Sequence, residues 1–161
     1  MISNTKKTEQ QIIATEYFNN GVKKSNLQDH KGAINDFNKA NEVCSNYAIP
    51  YYNRAFIKMK LEDYSGAIED FNMAIKLKPE NVMSYYFVNS YHNRGRAKFF
   101  LKNYKGAIVD FSKAIEEKPK FSAAYYNRGM CKIKLNKKNE GALDLSKAKE
   151  LGYIIQKKIN E

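Results

Sequence analysis

At 161 residues, with 43% apolar and 13% aromatic residues, the chain has enough apolar surface for one folded domain, which excludes a disordered chain. Lysine and arginine outnumber acids 28 to 17, a formal net charge of +11, so acidic peptides, nucleic acids or anionic surfaces are favoured partners. No stretch reaches the roughly 20 apolar residues that span a bilayer, and Met1–Glu9 lacks the apolar core of a signal peptide, so a cytoplasmic location is expected.

Three prolines and eight glycines separate stretches rich in Lys, Ala, Ile, Leu and Glu, a composition that predicts an all-α chain. Tyr17, Gly21 and Leu27 mark a first helix, and Gly32-Ala33-Ile34-x-Asp36-Phe37-x-x-Ala40 marks a second. Next come Tyr51-Tyr52-Asn53-Arg54-Ala55, closed by Leu61, and then Gly66-Ala67-Ile68-x-Asp70-Phe71-x-x-Ala74. Tyr91-His92-Asn93-Arg94-Gly95, closed by Leu101, precedes Gly106-Ala107-Ile108-x-Asp110-Phe111-x-x-Ala114. Last are Tyr125-Tyr126-Asn127-Arg128-Gly129 with Leu135, and a degraded Gly141-Ala142-Leu143-Asp144-Leu145-x-x-Ala148. Two blocks per copy predict two helices per unit, in four units over about 14–47, 48–81, 82–121 and 122–155 of a single domain. Residues 153–160, with Tyr153, Ile155 and Ile159 on one stripe, predict a capping helix.

Small residues at Gly21, Ala55, Gly95 and Gly129 let paired helices approach closely, and Tyr17, Tyr51, Tyr91 and Tyr125 pack against a neighbour. A lone pair cannot bury both faces, so the units are expected to stack into a superhelix. Ala33 to Ala67 spans 34 residues but Ala67 to Ala107 spans 40. Phe87 to His92 reads as a six-residue insert within the third unit's first helix, which would require a bulge, kink or break because six residues are not a whole number of turns. This aromatic insert either projects as a partner contact or lengthens the helix and packs on its neighbour.

These motifs resemble the tetratricopeptide repeat family, a 34-residue helix-turn-helix with an aromatic, small residues, a Leu, a second aromatic, an Ala and a trailing Pro, here Pro79 and Pro119. The resemblance covers residues 14–155 and implies a right-handed superhelical solenoid. It departs from the family at Arg54, Arg94 and Arg128, where a Leu is usual, and at Lys24, Lys58, Lys98 and Lys132, where a Tyr is frequent. It also implies that first helices line a concave groove that binds partners. Between residues 48 and 61, 82 and 101, and 122 and 135 there are nine bases and no acid, so an acidic or carboxylate-ended ligand is expected there.

Candidate groove residues are Asn53, Asn93 and Asn127, whose amides suit an extended backbone, with Tyr52, Phe56, Lys60, His92, Arg96, Tyr126 and Lys134. Tyr86, Phe99 and Phe100 fall near the same surface. One subfamily clamps the C-terminal carboxylate of heat-shock chaperones. Its residues carry over best onto His92, Arg96 and Asn127, with Lys157 as a fourth member, but Phe18, Val22, Tyr52 and Phe56 fill the other clamp positions and cannot bind a carboxylate. Arg54, Arg94 and Arg128 are expected to pair with Asp36, Asp70 and Asp110 of the preceding unit as register pins, direct ligand binding being the alternative.

Cys44 and Cys131 have no partner at disulfide or zinc spacing, His30 and His92 have no triad-like neighbours, and each Gly-Ala-Ile opens a helix where a phosphate loop would need more glycine. No enzyme, cofactor or metal is expected. The favoured function is a protein-protein interaction module: an adaptor, co-chaperone or assembly factor. A nucleic-acid or ribonucleoprotein-associated protein and a fixed subunit of a larger complex are the alternatives.

Overall fold

A computed structural model describes residues 8–77 and 84–154. Among them lie eight helices and no strand: α1 (Glu9–Asn26), α2 (His30–Val43), α3 (Ala48–Lys60), α4 (Tyr64–Lys76), α5 (Ser84–Phe100), α6 (Tyr104–Glu117), α7 (Ser122–Lys134) and α8 (Lys138–Glu150). The chain is an all-α helical repeat. It divides into two compact units, Met1–Phe87 and Val88–Glu161.

One turn geometry is used four times. Gln28, Glu62, Lys102 and Asn136 each have φ between 59° and 63°, the left-handed conformation that stops the first helix of a pair. The next residue then caps the second helix: Asp29, Asp63 and Asn103 each accept a hydrogen bond from the N–H three residues on, at 2.9 Å. Lys137 stands at this position in the last repeat and supplies no side-chain cap. Ahead of α1, Thr8 and Gln11 form a reciprocal capping box.

In the first unit α1 packs on α2, α3 on α4, and α2 on α3. Its cores are built from Ala33, Phe37 and Ile57, and from Ala55, Ala67 and Phe71. In the second unit Val88, Ala114 and Ala124 form one core cluster, and Ala107, Phe111 and Cys131 another. A Cβ on Gly95 would come within 2.8 Å of the Phe111 ring, so the small residue is what admits the aromatic. Burial pushes the Cys131 thiol up to about 12.

Two register expectations are corrected. α5 is continuous and 17 residues long, against 13 for α3 and α7. Aligned on Arg54, Arg94 and Arg128, its extra residues precede Val88 instead of interrupting the helix. No bulge is needed, because residues added before a repeat leave the phase of the repeat untouched. Tyr86, in this added turn, meets Tyr52 edge-on at 5.3 Å, so the extension packs on its neighbour, while Tyr85 is exposed. The second correction concerns Gly141, which takes the place of Ala107, not of Gly106. It is buried against Gly129, whose carbonyl would lie 2.8 Å from an added Cβ. The predicted capping helix lies outside the described residues apart from Tyr153 and Ile154, which are not helical.

Candidate functional site

The first helices carry a recurring ionic frame. Arg54 grips Asp70 through Nε at 2.8 Å and Nη2 at 2.5 Å. Arg94 grips Asp110 at 3.0 and 2.5 Å, and Arg128 grips Asp144 at 2.8 and 2.7 Å. Each pair is bidentate and joins the two helices of one repeat, 16 residues apart. The expected pairing with the preceding repeat is therefore corrected. An Arg immediately before the small residue faces the helix that folds back on it, and the carboxylate it grips lies there.

The third nitrogen reaches the preceding repeat, but to a neutral partner. Arg54 Nη1 donates to Asn38 at 2.6 Å, and Arg128 Nη1 to Ser112 at 3.1 Å. Each guanidinium also lies over the ring of Tyr51, Tyr91 or Tyr125, at 5.2 to 5.4 Å.

A second cation, not anticipated from the sequence, completes each cluster. Lys58, Lys98 and Lys132 lie 2.8 to 2.9 Å from Asp70, Asp110 and Asp144. Their signal was present in the sequence: each stands one helical turn after the Arg, where the family frequently carries a Tyr. Burial alone would push the Asp144 carboxyl up, but hydrogen bonds from Arg128 and Lys132 hold it below its ordinary value. In the first repeat Asn20 replaces the Arg, and Asp36 is met by Lys24 at 2.7 Å.

Six of the nine first-helix bases are thus committed to three buried carboxylates. Lys60, Arg96 and Lys134 have no carboxylate partner among the described residues. Lys60 is exposed and lies over the Phe56 ring at 5.4 Å, with Phe56 itself 40% exposed. Arg96 is half-buried and close enough to lower the pKa of His92 and to act on Tyr153. Lys134 is exposed at the end of α7.

The predicted amides are not equivalent. Asn53 is half-buried, and its Nδ2 donates to the Ile49 carbonyl at 3.0 Å. Asn93 is only 6% exposed and His92 only 8%, so both lie inside the second unit instead of on the open face where spacing alone puts them. The aromatic walls explain this: the His92 ring packs at 4.7 Å from Phe121 and 5.6 Å from Phe111. Burial, helped by Arg96, lowers the His92 pKa from 6.5 to about 4. Asn127 is half-buried with Nδ2 at 3.0 Å from His92 Nε2.

Of the aromatic candidates, Tyr52 packs edge-on against Phe71 at 5.9 Å and against Tyr86. Tyr126 stacks on Tyr153 at 4.5 Å and 22°. Phe99 belongs to the core beside Phe111, and Phe100 is exposed. Lys157 lies outside the described residues. Among the described residues no three His, Cys, Asp or Glu side chains converge as metal ligands, and no helix is long and apolar enough to cross a membrane.

Paired helices with a repeated turn, a repeated ion pair and a repeated aromatic-on-small contact define a helical-repeat protein of two-helix units. Family models described as tetratricopeptide repeat match residues 48–81 and 88–121, and the second match starts at Val88, as the continuous α5 requires. Residues 48–81 and 88–121 are thus tetratricopeptide repeats, and the helix pairs α1–α2 and α7–α8 repeat the same turn and ion-pair pattern.

No curated protein matches it in sequence. Its fold is similar to that of solved structures at low identity. MamA (41-end) from Desulfovibrio magneticus RS-1 is 18% identical with a TM-score of 0.76, over 86% of this chain and 75% of that one. YrrB, described as a TPR protein with an unusual peptide-binding site, is 22% identical with a TM-score of 0.75, over 86% and 69%. The first TPR of Spaghetti (RPAP3), bound to the HSP90 peptide SRMEEVD, is 20% identical with a TM-score of 0.65, over 84% and 95%.

Proposed function

We propose that this protein is a peptide-binding interaction module, an adaptor, co-chaperone or assembly factor in the cytoplasm, whose first helices receive an acidic segment of a partner protein. The observation that carries this reading is the division of the nine bases. Six are held in place on three buried carboxylates as structure, and the three left over, Lys60, Arg96 and Lys134, are the cations with no aspartate among the described residues to hold them. An uncommitted guanidinium offers a forked donor to a carboxylate. Exposed Phe56 beside Lys60 adds an apolar anchor next to a cation. Two structures of similar fold support the class of ligand: YrrB is described as having a peptide-binding site, and the HSP90 peptide bound to Spaghetti is itself acidic.

The test is fluorescence anisotropy with labelled short peptides of rising Asp and Glu content. Affinity should rise with the number of carboxylates, and Arg96→Ala should weaken the most acidic peptide about tenfold, the worth of one charge-assisted hydrogen bond. Binding indifferent to peptide charge would overturn the reading. A single-stranded RNA that binds more tightly than any peptide, with affinity falling steeply in salt, would favour the nucleic-acid alternative instead.

A further inference from the structure

Each unit contains a half-buried first-helix amide whose nitrogen is hydrogen bonded within the protein. In the first unit it is Asn53, bound to the Ile49 carbonyl, and in the second it is Asn127, bound to His92. Neither Oδ1 accepts a hydrogen bond among the described residues.

At Asn53 the direction is set by the partner, since a carbonyl can only accept. At Asn127 it is set by the proton on the imidazole. His92 is buried between two aromatic rings and beside Arg96, with no carboxylate in contact among the described residues, so the ring is neutral and carries one N–H and one lone pair. An amide nitrogen can only donate, so Asn127 Nδ2, lying 3.0 Å from the ring, requires Nε2 to accept. That places the proton on Nδ1 and leaves a lone pair on Nε2, the atom 3.0 Å from Asn127. A lone pair draws the amide nitrogen inward and turns Oδ1 away.

We propose that His92 is a positioning residue that holds the Asn127 oxygen outward, as the Ile49 carbonyl does for Asn53, so that both positions present acceptors and recognise N–H groups of an extended peptide backbone rather than its carboxylates. The inference rests on the peptide-binding reading and divides the labour within it: the free cations take the ligand's acids, and the amides take its backbone. It also explains why a set of Asn residues on these helices does not amount to a carboxylate clamp, which needs amide nitrogens to face the ligand.

The first test needs no ligand. In nitrogen-labelled full chain, NMR should show His92 as the Nδ1–H tautomer, with a coupling through the hydrogen bond between Asn127 Nδ2 and His92 Nε2. The Nε2–H tautomer would turn the amide around and overturn the proposal. Asn127→Asp places a carboxylate against the ring and should raise the His92 pKa by about two; an unmoved value means the contact is absent.

The second test uses the tightest peptide of the acidic series, with backbone N–H groups replaced one at a time by ester oxygen. One replacement should weaken binding about 2- to 12-fold, and that loss should vanish in Asn127→Ala. If the loss persists in Asn127→Ala at every position, Asn127 reads no N–H and the proposal fails. If no peptide binds at all, the peptide-binding reading falls, and the tautomer measured on the free chain still decides which way the amide faces.

Discussion

Beside the ionic frame, the first unit carries Phe18, Val22, Tyr52 and Phe56, and the second carries His92, Arg96, Tyr126 and Met130 at the same places in the repeat. The frame itself hardly changes: Arg54, Lys58 and Asp70 in one unit match Arg128, Lys132 and Asp144 in the other. The difference teaches how such a chain separates stability from recognition. Charges that hold two helices together are buried and repeated, while neighbouring positions one helical face away vary from aromatic to cationic. In the first unit that face is apolar with a cation at its edge, and in the second it is polar, with a neutral imidazole beneath it.

The largest effect expected from breaking this comparison is at His92. Above its ordinary value of 6.5 the ring is neutral in both folded and unfolded chains and contributes no pH dependence. As pH falls from 6.5 to about 4, the unfolded chain takes up a proton that the folded one refuses, and up to about 3 kcal/mol of stability is lost. His92→Tyr, which gives the second unit the residue of the first, should remove that part of the slope in denaturant titrations at a series of pH values.

Next in size is the shared frame. Arg54→Ala and Arg128→Ala should each cost about 2 kcal/mol by chemical denaturation, since each leaves a buried carboxylate with a lysine alone. Unequal losses would mean that the two frames are not equivalent. The converse change, Asn20→Arg, gives Asp36 the grip it lacks and should add about 1 kcal/mol. The smallest effect is chemical: a thiol reagent should label half-buried Cys44 in the native chain and reach Cys131 only on unfolding.

Much of the fold was legible because the same physics is written four times. Asp36-Phe37, Asp70-Phe71 and Asp110-Phe111 fix the register of the second helices, and Gly21, Ala55, Gly95 and Gly129 fix where the first helices touch them. The errors came where spacing allowed two answers. An Asp recurring in every repeat is equally available to the Arg of its own repeat or of the next, and only the direction of the side chain across the helix pair decides. The six extra residues near α5 fit before or inside the repeat by spacing alone: aligning Pro79 with Pro119 puts them inside, and aligning Arg94 with Arg128 puts them before. Gly141 misled because glycine and alanine both satisfy a close helix contact, so a shift of one residue left the motif looking intact. The site was less legible than the fold. Nothing in a string of letters distinguishes Asn93, buried next to a His92 whose ring packs on Phe121, from Asn127, one repeat on and half-buried, since burial depends on which rings close over the neighbouring side chain.

Because each aspartate finds its counter-charges within its own thirty-odd residues, a repeat is electrically self-contained. A genetic duplication or excision of one such length carries donor and acceptor together, strands no ion in the interior, and leaves only neutral contacts such as Asn38 and Ser112 to be matched at the new seam. Array length can then change in a single event without passing through an intermediate that cannot fold.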